Sequence, residues 1–237
     1  RMDYLSAMQT RHALVGVVEE ALGVELSDRI KYIRTIMDEL QRIDSHLLFY
    51  SCCGQDLGAL TAFIYGMRDR EEVLNVMEET TGGRLIQNYY RIGGCQEDID
   101  VNLVENVKKL CKYLKPKFKE YHDILSSNRI FMNRFKGVGV LSKEDAISYG
   151  CTGGTGRATG WANDVRKHHP YAMYDKVEFD EITFTHGDSY DRYLVRMAEL
   201  EQSVRILEQL IDNIPEGDFY IKQKAVIRVP EGQWYLS

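Results

Sequence analysis

Cysteine and histidine carry most metal and redox chemistry in proteins, and their spacing in this chain does not favour a metal site. None of the five cysteines forms a C-x-x-C pair; they are Cys52, Cys53, Cys95, Cys111 and Cys151. A single turn therefore cannot present two thiolates to one metal ion. The six histidines include no H-x-x-x-H pair. We expect reduced thiols in a cytosolic compartment and no metal in this chain.

A glycine-rich segment at 137–160 is a second candidate for chemistry; it reads GVGVLSKEDAISYGCTGGTGRATG. It lacks the G-x-x-x-x-G-K-[ST] pattern of a phosphate loop, and no predicted strand precedes its glycines. Tight turns that let backbones approach closely are the preferred interpretation. Within the segment, Ser142 and Asp145 form a variant capping box that predicts a short helix ending near Ser148.

Two other side chains, Tyr4 and Asp56, could hold or move a proton. Tyr4 lies at the start of the first predicted helix. A tyrosine at such a position typically packs at the edge of the core. Asp56 stands at the predicted start of another helix, where an aspartate typically caps the first turn. Taken alone, the residues favour a structural role at both positions.

The composition is that of a folded, acidic chain. Its 237 residues include 30 Lys+Arg and 36 Asp+Glu, which gives a formal net charge of −6. Nucleic acid is not expected as a partner, because phosphate binding needs a concentrated basic face. No apolar run approaches the roughly 20 residues of a membrane span, and no signal peptide is visible.

Apolar residues recur at the helical period along most of the chain. Asp3 and Ser27 are predicted to cap the first two helices, and Gly23 to end the first. Long helices are predicted at 3–22, from 27 past 47, at 56–82, at about 102–125 with a kink or break at Pro116, and at 190–214. Ala225–Val229 is the best strand candidate. We predict an all-α multi-helical bundle with minor β structure at the C-terminus, divided into a helical core over 1–214 and a truncated β-type tail over 215–237.

Several ordered blocks carry a family resemblance. They are RMDYLSAM, DELQRIDSHLL, QDLGALTAF, YGMRDREE, GGRLIQNYYRIGG, GVGVLSKEDAISYGCTGG, DVRKHHPY and GDSYDRYLVRMAELEQSV. In this order they resemble the hydrogenase-like D subunit (49 kDa type) of the proton-pumping NADH–quinone oxidoreductases, respiratory complex I. The resemblance implies the helical core of the [NiFe]-hydrogenase large subunit. It also implies that this chain is a central piece of a longer protein, and that the piece is inactive in isolation.

The same resemblance implies a function. The family subunit forms one wall of a quinone-reduction chamber, beside the terminal iron–sulfur cluster of the neighbouring small subunit. Tyr4 matches the tyrosine that donates a proton to the quinone, and a phenol with a pKa near 10 is protonated at neutral pH. Asp56 matches the aspartate that orients a quinone-binding histidine located upstream. Leu48 and Cys52 would line the chamber if the second helix continues to Asp56.

Near the iron–sulfur cluster, the sequence matches the family at Arg91 and departs from it at Ile86. Many family members carry histidine at the position of Ile86, where an imidazole couples cluster reduction to protonation. Isoleucine cannot titrate, so we expect a weaker pH dependence of the cluster potential. Such a cluster would suit a low-potential quinone such as menaquinone.

The resemblance also implies the setting of the chain. The expected partners are the iron–sulfur small subunit, a C-type (30 kDa-like) subunit and the membrane-arm subunits. NAD(H) and iron–sulfur clusters would be bound only by partner subunits, on the cytoplasmic face of the cell inner membrane. Two alternatives stay open: the equivalent subunit of a ferredoxin-linked or membrane-bound hydrogenase-type complex, and a non-catalytic helical scaffold.

Overall fold

A computed structural model of the chain describes residues 3–224 and 226–235. Its helices are α1 (Ala7–Leu22), α2 (Asp28–Asp56), α3 (Leu60–Thr81), α4 (Val101–Tyr121), α5 (Arg129–Phe135), α6 (Lys143–Ser148), α7 (Gly153–Arg157), α8 (Val165–His168) and α9 (Ser189–Leu210). A two-residue hairpin, β1 (Tyr90–Arg91) and β2 (Gly94–Cys95), pairs antiparallel. The mainly helical class is confirmed, whereas the hydrogenase-like arrangement and the division at residue 214 stay predictions.

Helix α2 is the central element of the bundle. The Ser27 hydroxyl accepts a hydrogen bond from the Ile30 amide, which caps the helix as predicted. Its inward stripe is fully buried and includes Ile33, Leu40 and Leu47. Helices α3 and α9 pack against α2, so that α2 is enclosed along much of its circumference.

Helix α1 lies antiparallel to the first half of α2. A 3₁₀ turn at Tyr4–Ser6 precedes it, and the Asp3 carboxylate caps that turn by accepting from the Leu5 amide. The contacts with α2 proceed in reverse order: Glu19 with Arg34, His12 with Asp38, and the Leu5 carbonyl with Gln41. The helix ends at Gly23, whose φ of 64° is in the left-handed region, as the sequence predicts.

The predicted start of the third helix is wrong, because α2 continues to Asp56 and α3 begins at Leu60. Asp56 is therefore the last residue of α2 and does not cap α3. The break comes at Gly58, which adopts a φ of 82°, and the Ala59 amide donates back to the Gly54 carbonyl. A glycine adopts this conformation without steric cost, so the turn forms after Asp56 rather than before it.

Pro116 lies inside α4 and does not divide it. The helix passes directly into a π-helical turn at His122–Ser126. Tyr113 and Tyr121, on either side of the proline, both donate to the buried Asp69 carboxylate of α3, at 2.6 and 2.7 Å. These two bonds hold both halves of α4 against α3, so the predicted break does not occur.

The predicted C-terminal β structure is not confirmed. Helix α9 ends at Leu210, and beyond it Tyr220 makes an isolated bridge with Gly94. Residues 226–229 form no strand in the described structure, and Ala225 lies outside the described residues. Val226 is 69% exposed, since no neighbouring strand is placed to pair with this segment.

Among the helices of the described residues, none combines the length and the apolar character needed to cross a membrane.

Candidate functional site

One face of α2 carries three of the predicted site residues. Leu48, Cys52 and Asp56 lie within about 80° of one another on the helix, given about 3.6 residues per turn. Arg34 and Gln41, which contact α1 in the first half of α2, lie on this same face of the helix. The predicted residues therefore continue the α1-binding face beyond the point where α1 ends. Here Leu48 is half-buried, and Cys52 and Asp56 are exposed.

Tyr4 lies at the beginning of this uncovered stretch. The Leu5 carbonyl accepts from Gln41 Nε2 at 3.4 Å, so the turn containing Tyr4 sits beside the middle of α2. Because α1 and α2 are antiparallel, residue 4 lies on the side of Leu5 that points toward Leu48. Its side chain is 55% exposed.

The turn containing Tyr4 thus lies beside the middle of α2, and Asp56 is the last residue of the same helix. Gln41 and Asp56 are separated by 15 residues of helix, or about 22 Å of rise. Leu48 and Cys52 lie between them on the same face.

The two predicted cluster-facing residues are also exposed, Ile86 by 58%. Arg91 belongs to the β-hairpin, which is held against the N-terminal half of α2. Arg34 Nη2 donates to the carbonyls of Arg91 and Gly94, each at 3.0 Å. Glu19 Oε1 accepts from the Gly93 amide at 2.7 Å. One buried Arg–Glu pair therefore fixes the hairpin by its backbone, and the Arg91 side chain is exposed.

Comparison with known proteins gives the family. Residues 56–237 match the family described as "Respiratory-chain NADH dehydrogenase, 49 Kd subunit". The chain belongs to this family. It is 63% identical over all 237 residues to the C/D subunit of the NADH-quinone oxidoreductase of Phocaeicola vulgatus, covering 46% of that protein. The corresponding protein of Bacteroides thetaiotaomicron is also 63% identical, with 45% covered.

A more distant relative carries the name of the D subunit alone. The D subunit of the NADH-quinone oxidoreductase of Bacillus cytotoxicus is 41% identical over the full chain, which covers 65% of that protein. The chain spans less than half the length of the C/D relatives. The predicted relationship to this component of complex I is confirmed.

In this member of the 49 kDa family, a buried charge cluster lies on another side of α2. The Glu39 carboxylate accepts from Tyr174 Oη at 2.5 Å, Ser203 Oγ at 2.6 Å and Arg166 Nη1 at 3.2 Å. Burial alone would raise the pKa of Glu39, but the charges of Arg42 and Arg166 and these hydrogen bonds lower it to about 2. Glu39 is therefore an anion in the core, with its charge compensated.

A second buried carboxylate, Glu199 of α9, connects α2 to the glycine-rich segment. It accepts from Arg157, and its Oε2 lies 2.7 Å from His46 Nε2. Burial would raise the pKa of Glu199, yet His46 and Arg157 hold it well below its usual range. The sequence analysis assigned no role to Glu39 or Glu199. The local signal for Glu39 was a polar flank beside the apolar stripe of α2, formed by Glu39, Arg42, Ser45 and His46.

The described ranges, 3–224 and 226–235, contain no group of three His, Cys, Asp or Glu side chains that could hold a metal ion. The five cysteines are free thiols. Cys52 is the most exposed of those on α2.

Proposed function

We propose that this chain forms one wall of the quinone-reduction chamber of an NADH–quinone oxidoreductase, beside the terminal iron–sulfur cluster of a neighbouring small subunit. The observation that carries the proposal is the exposed face of α2, with a phenol at one end and a carboxylate at the other. Both residues match family positions, and the named relatives are subunits of NADH-quinone oxidoreductases.

Quinone reduction takes up two electrons and two protons, so a proton donor must reach a quinone carbonyl. Tyr4 would be that donor, because its side chain is 55% exposed and carries a hydroxyl that can donate a proton. Asp56 would orient a histidine from a part of the full protein outside this chain. Leu48 and Cys52 would contact the ring between the two ends.

The order of residues along α2 supports the proposed direction of electron entry. The hairpin with Arg91 is bound at Arg34, Tyr4 lies near Gln41, and Asp56 ends the helix. A cluster docked against Ile86 and Arg91 would therefore approach the Tyr4 end of the face. In this proposal the partners are the iron–sulfur small subunit, a 30 kDa-like subunit and the membrane arm, on the cytoplasmic face of the inner membrane. The substrate is a quinone, and the absence of a titratable group at Ile86 favours a low-potential one such as menaquinone.

The test is Tyr4→Phe in the assembled complex. Loss of a positioned proton donor costs about 10²–10⁴-fold in rate, so we expect at least a hundredfold lower kcat with little change in KM for quinone. Tyr32→Phe is the matched control, because Tyr32 lies on the opposite side of α2 and should keep wild-type turnover. A Tyr4→Phe complex within twofold of wild type would leave the scaffold alternative as the explanation.

A further inference from the structure

Beside the turn that contains Tyr4, α2 carries a buried carboxylate for which the chemistry above has no role. Asp44 is 1% exposed. Its Oδ1 lies 2.8 Å from Arg70 Nε of α3, and its Oδ2 accepts from Gln41 Nε2 at 2.9 Å. Burial raises the pKa of Asp44 to about 6, although Arg70 and Gln41 both oppose the rise. Asp44 can therefore change its protonation state near neutral pH.

Gln41 connects this carboxylate to the turn. The same Nε2 group that donates to Asp44 also donates to the Leu5 carbonyl, at 3.4 Å. Gln41 is 1% exposed, and its Oε1 has no hydrogen-bond partner among the described residues. A buried acceptor without a donor is costly. The Oε1 atom of Gln41 is therefore available to accept a hydrogen bond if a donor comes within reach.

The two protonation states of Asp44 differ in which end of the Gln41 amide they can pair with. An ionised carboxylate only accepts, so it needs the Nε2 hydrogens. A protonated carboxyl can donate, and rotating the amide by about 180° would offer it Oε1 as an acceptor. The rotation would also place an oxygen opposite the Leu5 carbonyl. Two acceptors facing each other repel, and the turn would lose its hydrogen bond to α2.

We propose that Gln41 is a positioning residue that couples the protonation of Asp44 to the placement of Tyr4. Ionised Asp44 holds the Gln41 amide so that it donates to Leu5 and fixes the turn. Protonated Asp44, with a proton taken from solvent, can also pair with the rotated amide, and the rotation releases the turn. The proposal rests on the function assigned to Tyr4 above and adds a control of its position.

The other charged groups near Asp44 are already engaged. Arg70 is its ion-pair partner, and Glu71 on α3 is paired with Arg84. On the turn, the Asp3 carboxylate accepts from the Leu5 amide at 3.0 Å and from Ser6 Oγ at 2.8 Å. One turn before Gln41, His12 of α1 lies 2.6 Å from Asp38 and is a further titratable group between α1 and α2. The titratable group in direct contact with the Gln41 amide is Asp44.

The experiment measures quinone reduction by the assembled complex between pH 5.5 and 7.5. A carboxyl with a pKa of about 6 is about three-quarters protonated at pH 5.5, so wild-type kcat should fall about fourfold there. Asp44→Asn should abolish this acidic fall, because the side chain no longer titrates. Gln41→Met should abolish it too, although Asp44 still titrates, because the amide that transmits the change is gone. A Gln41→Met complex with the wild-type acidic fall would overturn the proposal.

A matched control and a second measurement separate this proposal from the function of Tyr4. Asp69→Asn also removes a buried carboxylate, but its pKa is lowered by Arg68 and two tyrosines despite burial, so the acidic fall should persist. Hydrogen–deuterium exchange of residues 3–10, corrected for the intrinsic pH effect, should show lower protection at pH 5.5 in wild type and not in Gln41→Met. If Tyr4→Phe abolishes turnover while exchange is pH-independent, the coupling is wrong and the proposed function stands. If Tyr4→Phe is fully active while exchange follows Asp44, the proposed function is wrong and the coupling stands.

Discussion

At the scale of single residues, the molecule is organised by carboxylates buried in its helical core. Glu39 receives hydrogen bonds from Arg42 on the same helix, from Arg166 and Tyr174 in and after α8, and from Ser203 of α9. A buried ion is tolerated only when its charge is paired and its oxygens are hydrogen-bonded. Here both conditions are met, so Glu39 joins α2, α9 and the segment around α8 at one point.

Glu39→Gln should therefore destabilise the chain by about 3 kcal/mol, since Arg42 loses its carboxylate partner and Arg166 keeps only Asp164. Because the folded pKa of Glu39 is about 2 against an ordinary 4.5, its stabilisation is present above pH 4.5 and is lost as the pH falls toward 2. Denaturant unfolding followed by circular dichroism at several pH values measures both effects. The exposed Glu20→Gln should change stability by less than about 0.5 kcal/mol. A Glu39→Gln chain as stable as this control would contradict the prediction.

At the scale of elements, the close contact of α2 with α3 sets the shape of the bundle. Gly66 of α3 faces Leu47, Tyr50 and Ser51 of α2, and a Cβ at Gly66 would lie only 2.9 Å from the Tyr50 ring and 3.2 Å from the Leu47 carbonyl. Such distances leave no room for a methyl group. The glycine is required by the approach of the two helices, which also brings Arg70 to Asp44.

Gly66→Ala should therefore destabilise the chain by about 1–3 kcal/mol, because overpacking outweighs the gain of about 1 kcal/mol in helix propensity. Thermal unfolding compared with wild type is the measurement. Thr61→Ala, at an exposed position of the same helix, is the control and should be nearly neutral. An increase in stability for Gly66→Ala would mean that α2 and α3 are further apart than described.

At the scale of the whole molecule, α2 orders the proposed functions along one axis. The hairpin with Arg91 is held at its first half, the turn with Tyr4 at its middle, and Asp56 at its end. Ile86 and Arg91 are exposed in this chain and available to the proposed small subunit. The effect of a non-titratable residue at position 86 on the cluster potential can consequently be measured only in the assembled complex.

A redox titration of the terminal cluster in that complex, at two pH values, tests the effect of Ile86. A one-electron couple tied to one proton shifts by about 60 mV per pH unit, and we expect a clearly smaller shift because isoleucine takes up no proton. Ile86→His should increase the shift. The full shift of about 60 mV in wild type would place the coupled proton on another group.

The local signals in the sequence were sufficient for most helices. Ser27 and Gly23 act within one helical turn, and the structure confirms both as caps. Asp3 caps the 3₁₀ turn at Tyr4–Ser6 and not α1, which begins at Ala7. Ser142 also accepts from the Asp145 amide as the capping box predicts. The family relationship was likewise contained in the order of short blocks.

The tertiary structure alone decided the surroundings of the candidate and buried polar residues. The placement of Asp56 at the end of α2 follows from the turn at Gly58 and the packing of Gly54 against Ala62. The charge state of Asp44 follows from its burial, and Glu39 finds partners more than 120 residues away along the chain. Helix caps depend on neighbours in sequence, whereas burial and ion pairing depend on distant segments brought together. The sequence therefore determined the helices, and the fold determined the charge states of their buried side chains.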